Sequence, residues 1–416
     1  MSVAATRVSP TGAHADAALR ILKRLLHGFA GGADLRLWND SSHSVGQGPS
    51  AFTLVLRDPM LLRSLVTTHG PVLLADAYFR GQIDVEGDLY SALALKGHFE
   101  GLALPWRDKL AMLLDAWRLP TSTNSRNEPA NAGTLLTRLA HRFTRRHTRH
   151  SEVQRNKLEH ICRKLRLQRG ERLLDIGCGW GALVCWAAKH YGVRAYGITL
   201  SQAQHDFAQQ RIADEGLQAL VTVELRDYRD LQGEAVYDKV ASVGMFEHVG
   251  LANMPTYLAA VQRVLRPGGL FLNHGITHDE EGWNRTVATE FINRYVFPDG
   301  EFDCVSNIQL GMERAGFEIQ DVEALRRHYA LTLRHWVQRL EANRDAALAE
   351  VDEPTYRVWR LYMAACSLEF EAGGTGIYQI LASRRGVETS LPLTRHDLYA
   401  YAHAPIGATL PLRLGA

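Results

Sequence analysis

The sequence has few cysteines, no long apolar run and almost no excess charge, and each of these absences excludes a class of protein. The 416 residues contain five cysteines and no CxxC pair, which argues against a zinc site of familiar spacing and favours a reducing compartment. No window approaches the roughly 18 uncharged apolar residues that a spanning helix needs, so we expect any membrane contact to be peripheral. The net charge is only +2, with 47 basic and 45 acidic residues, which gives no global case for a nucleic-acid partner. We therefore expect a cytoplasmic protein without a metal site.

The length and composition indicate a soluble protein of two domains, with 46% apolar and 22% charged residues. In the N-terminal part, apolar residues at helical spacing predict a helix that Asp16 caps. The other side of this helix is basic and carries Arg20, Lys23, Arg24 and His27. Such a helix either packs on its own domain or lies on anionic lipid. From Leu35 to about Leu93, short alternating runs mixed with helical ones predict a small α+β unit, and we place this first domain at residues 1–105.

Residues 106–152 have the character of a linker followed by a basic segment. The stretch "LPTSTNSRNEPANAG" is rich in Ser, Thr, Asn and Pro, which is typical of linkers. It is followed by a run of arginines: Arg138, Arg142, Arg145, Arg146 and Arg149. This run is either a solvated hinge or a strip that faces phosphate groups, and no nucleic-acid motif accompanies it.

Residues 153–416 form the second predicted domain, in which strand and helix patterns alternate. Strands are predicted at "RLLDIG", "RAYGITLS", "VTVEL", "YDKVASVGM" and "GGLFLNHGIT", with helices between them. This alternation predicts a mostly parallel sheet that binds its ligands at the carboxyl ends of the strands.

A glycine-rich loop follows the first of these strands. The stretch "DIGCGWG" holds Asp175, Gly177, Cys178, Gly179 and Gly181. The glycines allow positive φ and a close approach of ligand to backbone, but dinucleotide loops share this property. The third glycine comes one residue too early for GxGxxG, and Asp175 could bind a cationic amino-acid group. We therefore interpret the loop as a site for S-adenosylmethionine.

Polar residues after the next two strands extend this candidate cofactor site. Thr199, Leu200, Ser201 and Gln204 follow the second strand and could bind the ribose and methionine parts. Asp227 and Tyr228 follow the third strand, where an adenine ring needs an acceptor and a stacking partner.

The stretch "GMFEHVG" sets Glu247 and His248 side by side after the fourth strand, between two glycines. A glutamate so close to an apolar run is difficult to explain by packing alone. His274 in "FLNHGIT" and His248 could instead satisfy backbone groups at strand ends.

Taken in series, "LLDIGCGWGAL", "GITLSQAQ", "RDYRDL", "VGMFEHVG" and "FLNHGIT" resemble the cyclopropane-fatty-acyl-phospholipid synthases and the related mycolic acid methyltransferases. The similarity extends from "AYFRGQIDVEGDL" in the N-terminal part to "RRGVETS". The resemblance implies an α/β fold: a Rossmann-like class I S-adenosylmethionine-dependent methyltransferase domain with a smaller N-terminal α+β lipid-binding domain.

The resemblance also implies a reaction and its residues. It implies methylene transfer from S-adenosylmethionine to the cis double bond of an acyl chain in a phospholipid bilayer, at the inner face of the membrane. A bound bicarbonate would be the base, held by Glu247, His274, the backbone of Ile276 and Tyr329. Cys366 matches a family cysteine regarded as an active-site residue, although a buried thiol could equally be part of the packing. A homodimer is a further family expectation. Methyl or methylene transfer without ring closure, and a catalytically impaired phospholipid-binding homologue, are the alternatives.

One segment of the family pattern is missing from the chain. Relatives carry a lid of the form "HYDLGNDFY...YSCAYF" before "QRNKLEHICRKL", whereas this chain continues directly from "RRHTRHSEV". The lid covers the cofactor and contributes to the anion site in the family. Its loss would admit water and weaken positioning.

Overall fold

The computed structural model describes residues 10–67, 73–120, 152–282, 290, 292, 295–296 and 301–399. The chain divides into two compact units that are not contiguous in sequence. The first unit comprises Met1–Phe143, Asn284–Pro298 and Arg327–Ala372, and the second comprises Thr144–Trp283, Asp299–Arg326 and Gly373–Ala416. Over the part of the chain that is described, no helix has the length and apolar character needed to span a bilayer.

Strands and helices alternate through most of the described chain. The strands, in chain order, are β1 (Gly32–Arg36), β2 (Ser42–Gly46), β3 (Ser50–Leu56), β4 (Ile83–Gly87), β5 (Arg172–Ile176), β6 (Arg194–Thr199), β7 (Val221–Leu225), β8 (Tyr237–Val243), β9 (Leu265–His278), β10 (Phe317–Ala324) and β11 (Thr375–Arg384). The helices, in chain order, are α1 (Pro10–Leu25), α2 (Met60–Thr67), α3 (Leu73–Phe79), α4 (Leu89–Leu93), α5 (Leu95–Glu100), α6 (Trp106–Trp117), α7 (Glu152–Lys164), α8 (Ala182–Tyr191), α9 (Gln202–Asp214), α10 (Met254–Val264), α11 (Val305–Arg314), α12 (Arg326–Ala342), α13 (Arg344–Leu348), α14 (Glu353–Ala372) and α15 (His396–Tyr399).

The second unit is built on a seven-stranded sheet with the order β10-β11-β9-β8-β5-β6-β7. The strands from β9 to β7 in this order are parallel, which confirms the predicted alternation. Two further strands that the sequence did not predict, β10 and β11, continue the sheet in antiparallel pairs. Because the parallel strands all point one way, the residues that follow β5, β6, β7 and β8 lie along one edge of the sheet.

Both faces of this sheet are buried under helices. Leu173 and Leu174 are adjacent in β5, are both fully buried, and belong to two different apolar clusters. Successive side chains of a strand point to opposite faces, so each face has its own core. Burial on both faces accounts for the runs of successive buried residues in the central strands β5 and β9.

The first unit contains a four-stranded sheet with the order β2-β1-β3-β4, in which only β1 and β3 pair in parallel. Helix α1 begins at Pro10, six residues before the predicted cap at Asp16, which therefore lies inside the helix. Its apolar side, including Ile21 and Leu22, is buried in the core of this unit. The structure thus supports the packing interpretation of α1 for its apolar side.

The structure draws the domain boundaries differently from the sequence. Residues assigned to the linker form α6, whose Met112 and Ala116 are buried in the core that contains α1. The predicted linker otherwise falls mostly on residues 121–151, including the arginine run, which lie outside the described residues.

The first unit also includes α14, from the region assigned to the second predicted domain. Arg357 in this helix is 6% exposed and donates to the backbone carbonyl groups of Tyr78 and Ile83 and to the carboxylate of Asp84. Arg360 donates to the hydroxyl of Tyr78 at 2.9 Å. Since these contacts join residues more than 270 positions apart, local composition could not reveal them.

A buried lysine ties α7 to β10 in the second unit. Lys164 is fully buried, lies 3.2 Å from the carboxylate of Asp321 and forms an ion pair with Glu323. Glu323 also accepts from Nε2 of His160 at 2.8 Å. These partners, with the His160 hydrogen bond as the largest cause, lower the pKa of Glu323 to about 2.

We expect Lys164→Met to lower the free energy of unfolding by about 3 kcal/mol, because it removes the buried cation between two carboxylates, which keep the more exposed Arg395 and His160 as partners. Chemical denaturation followed by circular dichroism measures this loss. The matched control is Lys189→Met. The exposed ammonium of Lys189 lies 3.4 Å from Glu215, and we expect its removal to lower the free energy of unfolding by less than about 1 kcal/mol.

The cost should depend on pH. The pKa of Glu323 in the folded chain lies below its ordinary value of 4.5, so its contribution is complete above that value and is lost as the pH falls towards 2. The difference between wild type and Lys164→Met should therefore shrink in acid. Equal losses for the two lysine variants would contradict this assignment.

Candidate active site

The glycine loop after β5 adopts the conformation that its sequence predicts. Gly177, Gly179 and Gly181 all have positive φ, and the amide groups of Gly177 and Cys178 both donate to the carbonyl of Ile198 at 2.9 Å. A Cβ atom on Gly177 would lie 2.6 Å from the side chain of Met245. The loop therefore needs glycine here both for its backbone angles and for its close packing.

Asp175 is the acidic residue at the start of this loop, and it is 2% exposed. Its Oδ1 is buried and has no hydrogen-bond partner in the structure. Burial raises the pKa of Asp175 to about 7, against the opposing effect of the charge on Lys157. A buried acceptor of this kind suits a cationic group supplied by a ligand.

Cys178, within the same loop, is part of the packing. Its side chain is 6% exposed, and a Cβ atom on Gly197 of β6 would lie 2.8 Å from its Sγ. Burial raises the pKa of the thiol well above its ordinary value, so it stays protonated at neutral pH.

The residues after β6 form the start of α9. Ser201 is the N-cap, and its hydroxyl accepts from the backbone N–H of Gln204. The hydroxyl of Thr199 donates to Oε1 of Gln204 at 2.7 Å. Leu200 between them is 73% exposed, which leaves an apolar side chain at the sheet edge beside the glycine loop.

Asp227 and Tyr228, after β7, are already engaged with neighbouring side chains. Both carboxylate oxygens of Asp227 accept hydrogen bonds from the guanidinium of Arg229. The Tyr228 ring packs edge to face on Tyr257 at 5.5 Å between centroids. Binding of an adenine group by this pair stays a prediction.

Glu247 lies in a single 3-10 turn, Phe246–His248, directly after β8, and it is 6% exposed. Its Oε1 accepts from the backbone N–H of Ile276 at 3.3 Å, whereas its buried Oε2 has no hydrogen-bond partner. Burial raises the pKa of Glu247 to about 7 because the charged form loses its hydration. The carboxyl group can therefore take up and release a proton near neutral pH.

Gly275 in β9 allows this glutamate to lie against the strand. A Cβ atom at this position would lie 2.3 Å from the Phe246 ring and 2.6 Å from Oε2 of Glu247. These distances are too short for any side chain, so only glycine permits the contact. An isolated glycine within an apolar strand was the available signal for this residue, and sequence reasoning missed it.

His274 is the neighbour of Gly275 in β9 and is 1% exposed. Its Nδ1 lies 3.1 Å from Nε2 of Gln379, its cross-strand partner in β11. Burial, reinforced by the charges of Lys157 and Lys164, lowers the pKa of His274 to about 3, so the imidazole is neutral.

The pairing of β8 with β9 sets the position of these residues at the carboxyl end of the parallel strands. Val243, the last residue of β8, pairs with His274, whose carbonyl accepts from the N–H of Gly244 at 2.8 Å. The structure thus brings the carboxyl group of Glu247 to the backbone of Ile276, and the backbone of His274 to Gly244 before the turn that carries Glu247. His248 is exposed instead.

Two predicted site residues belong to the other unit. Tyr329 lies in α12, with its ring 5.7 Å from that of Phe370. Cys366 lies in α14, and burial raises the pKa of its thiol to about 12. A thiol with this pKa is not a nucleophile at neutral pH, which favours the packing interpretation of Cys366.

Comparison with known proteins gives consistent matches. The family described as mycolic acid cyclopropane synthetase matches residues 139–380. A protein of Pseudomonas putida named as a probable fatty acid methyltransferase is 37% identical over 388 residues, which are 88% of this chain and 95% of that protein. The cyclopropane-fatty-acyl-phospholipid synthase of Escherichia coli K12 is 40% identical over 243 residues, 58% of this chain and 61% of the synthase.

Among solved structures, a mycolic acid cyclopropane synthase in complex with SAH and CTAB superposes with a TM-score of 0.52 at 30% identity. The superposition covers 56% of this chain and 84% of that protein.

We expect Gly275→Ala to displace Glu247 and to lower the free energy of unfolding by about 1–3 kcal/mol, because the added methyl overlaps Phe246 and Oε2. The control is Gly311→Ala in α11, where an added Cβ meets only ordinary contact at 3.5 Å from Leu258. That variant should be neutral or slightly stabilising, since alanine favours a helix. Thermal unfolding compares the two, and a Gly275→Ala chain as stable as the control would contradict the packing described.

Proposed function

The chain belongs to the mycolic acid cyclopropane synthetase family and is an S-adenosylmethionine-dependent methyltransferase, and from this premise we propose the reaction. In the proposed reaction, the protein transfers a one-carbon unit from S-adenosylmethionine to the cis double bond of an unsaturated acyl chain in a membrane phospholipid, and a cyclopropane ring closes. The observation that carries this proposal is the dehydrated carboxyl group of Glu247, which lies against the backbone of Gly275 and Ile276 in the sheet that holds the glycine loop.

The reaction needs both an electrophile and a proton acceptor. The alkene π electrons attack the sulfonium methyl carbon, the carbon–sulfur bond breaks, and S-adenosylhomocysteine leaves. The neighbouring carbon is then a cation, and loss of a proton from the new methyl group closes the ring. Water must be absent at this stage because it would trap the cation. A carboxyl group of pKa about 7 suits the proton transfer.

The residues around the glycine loop fit the donor. Asp175 offers a buried, unsatisfied Oδ1 to the cationic amino group of the methionine part. The positive-φ glycines bring the backbone amides close to the ligand, and exposed Leu200 offers an apolar contact. When bound, S-adenosylmethionine supplies the electrophilic methyl group.

Bicarbonate is proposed as a second small molecule at this site. The unsatisfied Oε2 of Glu247 fits as an acceptor for its hydroxyl group, and the N–H of Ile276, which makes a long 3.3 Å bond to Oε1, fits as a donor. We propose that His274 also contributes to its binding, and the role that the resemblance implies for Tyr329 stays a prediction. When bound, bicarbonate supplies a small base.

Two observations favour other outcomes. The relative that matches nearly the whole chain is named as a probable fatty acid methyltransferase, which favours methyl or methylene transfer without ring closure. The sequence also lacks the lid segment of the family pattern, which favours a catalytically impaired phospholipid-binding homologue. Action at the inner face of the membrane and a homodimer belong to the proposal as well.

Product analysis separates these functions. The purified chain is incubated with S-adenosylmethionine and vesicles of unsaturated phospholipid, and the acyl chains are examined by mass spectrometry and proton NMR. The proposed reaction adds one CH₂ and removes the alkene signal. A gain of CH₂ with a retained alkene would replace it with the methylene product, and no gain would leave the impaired homologue.

We expect Glu247→Gln to lower kcat by about 10²-fold or more, because the amide cannot hold the proton. The matched control is Glu234→Gln, an exposed glutamate of the same unit, which should keep wild-type turnover. With saturating donor, wild-type kcat should fall as the pH drops below about 7, where Glu247 becomes protonated. Equal turnover in both glutamine variants would remove Glu247 from the chemistry.

We expect Asp175→Asn to weaken S-adenosylmethionine binding by at least about tenfold, because the cationic amino group loses its buried counter-charge. Asp175 ionises as the pH rises through about 7, so wild-type affinity should increase between about pH 6 and pH 8 and the variant should lack this dependence. Isothermal titration measures both. The control is Asp214→Asn, an exposed position in α9, and identical titrations for all three chains would contradict the assigned role.

A further inference from the structure

Helix α6 in the first unit is apolar on two sides. One side, with Met112 and Ala116, is buried in the core that contains α1. The other side carries four large apolar side chains in solvent, which are Trp106, Leu110, Leu114 and Trp117, with exposures of 69%, 49%, 50% and 63%. At 100° per residue these four lie within an arc of about 80°. Within the described part of this unit, the stripe is left in solvent, and exposed apolar patches of this kind mark interaction surfaces.

Basic side chains flank the stripe on both sides. Arg107 and Arg118 follow it on one side and Lys109 precedes it on the other, and all three are exposed. The Arg107 guanidinium also lies 5.6 Å from the Trp106 ring centre. The helix therefore has the apolar centre and cationic borders of a segment that lies in a membrane interface.

A basic cleft opens beside the N-terminal end of this helix. It has a volume of about 550 Å³ and is lined by Arg20, Lys23, Arg24, His27, Leu102, Ala103, Leu104, Pro105 and Asp108. The cleft and the helix thus share Pro105 and Asp108 at their border.

The acidic groups in this region are neutralised by arginines. Asp115 has 4% of its side chain exposed and accepts from Arg20, Arg24 and Arg118. Asp108 lies 3.6 Å from Nε of Arg24. The cleft and the helix through residue 118 carry six arginines and lysines against these two carboxylates, so the surface has a positive balance around an apolar stripe.

We propose that this surface, formed by the stripe of α6 and the adjoining basic cleft, is where the chain docks on an anionic phospholipid bilayer. Tryptophan at both ends of the stripe suits the headgroup boundary, where an apolar ring and a polar N–H are both satisfied. The cationic border attracts anionic headgroups, and the cleft takes a headgroup phosphate. The inference deepens the proposed function by naming its lipid-facing surface, and it rests on that function for the identity of the partner.

The test is flotation of the full chain with vesicles in the absence of S-adenosylmethionine. Vesicles of phosphatidylcholine alone are compared with vesicles that also contain phosphatidylglycerol. We expect tighter binding to the anionic vesicles, weakening with salt. Trp106→Ala/Trp117→Ala should reduce binding by at least about tenfold, since both rings lose their place in the interface. Arg107→Gln/Lys109→Gln should reduce binding to the anionic vesicles by about fivefold per charge and leave binding to phosphatidylcholine unchanged.

Trp336→Ala is the matched control, because Trp336 is a 40% exposed tryptophan on α12 of the same unit. It should bind vesicles as the wild type does. An equal loss in this control, or wild-type binding by the Trp106→Ala/Trp117→Ala chain, would overturn the proposal. A change of oligomeric mass in sedimentation, with vesicle binding unaltered, would assign the stripe to a second copy of the chain instead.

Failure here is distinguishable from failure of the proposed reaction. The Trp106→Ala/Trp117→Ala chain should still convert detergent-dispersed unsaturated phospholipid, whereas Glu247→Gln should still float with vesicles. Loss of turnover without loss of flotation concerns the reaction alone. Retained turnover together with wild-type flotation of the Trp106→Ala/Trp117→Ala chain would contradict the docking surface and leave the proposed reaction unaffected.

Discussion

Dehydration of two carboxyl groups is the constraint on which the candidate site depends. Asp175 and Glu247 are both nearly inaccessible to solvent, and each keeps one oxygen without a hydrogen-bond partner. Leaving such groups unsatisfied costs free energy that the fold does not recover within the described residues. Ligands that bring a cation to Asp175 and a hydrogen-bond donor to Glu247 would offset this cost. The pKa values of about 7 have the same cause, the loss of hydration, and they allow both groups to change protonation state near neutral pH.

Most of the second unit could be predicted from sequence, because its strands are buried on both faces and are followed by polar residues. The glycine loop and Glu247 follow the ends of their strands, so motif order alone predicted their place at one end of the sheet, whereas His274 lies inside β9. Gly275 and Gln379 escaped prediction for a physical reason. Their roles depend on partners across strands, and Gln379 meets His274 across 105 positions of chain. No local pattern carries that information.

The organisation of the first unit was harder to predict for a related reason. Helix α6 has apolar residues on two sides, so it lacks the single apolar period that marks a surface helix, and it was assigned to a linker. Helix α14 belongs to this unit through buried arginines that bind backbone carbonyl groups of distant residues. Consequently Tyr329 and Cys366, predicted as part of one site, are carried by a different unit from Glu247.

The missing lid segment would affect catalysis by admitting water to the site. The exposed fraction of Glu247 indicates how far its burial depends on such a lid. A lid would serve to dehydrate the reacting groups. Yet Glu247 is 6% exposed in a chain whose sequence has no such segment, with the Phe246 ring and the backbone of Gly275 packed against it. Burial of Glu247 therefore does not depend on the lid, and on the resemblance its loss would remove the covering of the cofactor and part of the anion site. This favours an enzyme with altered donor binding over one that has lost its chemistry.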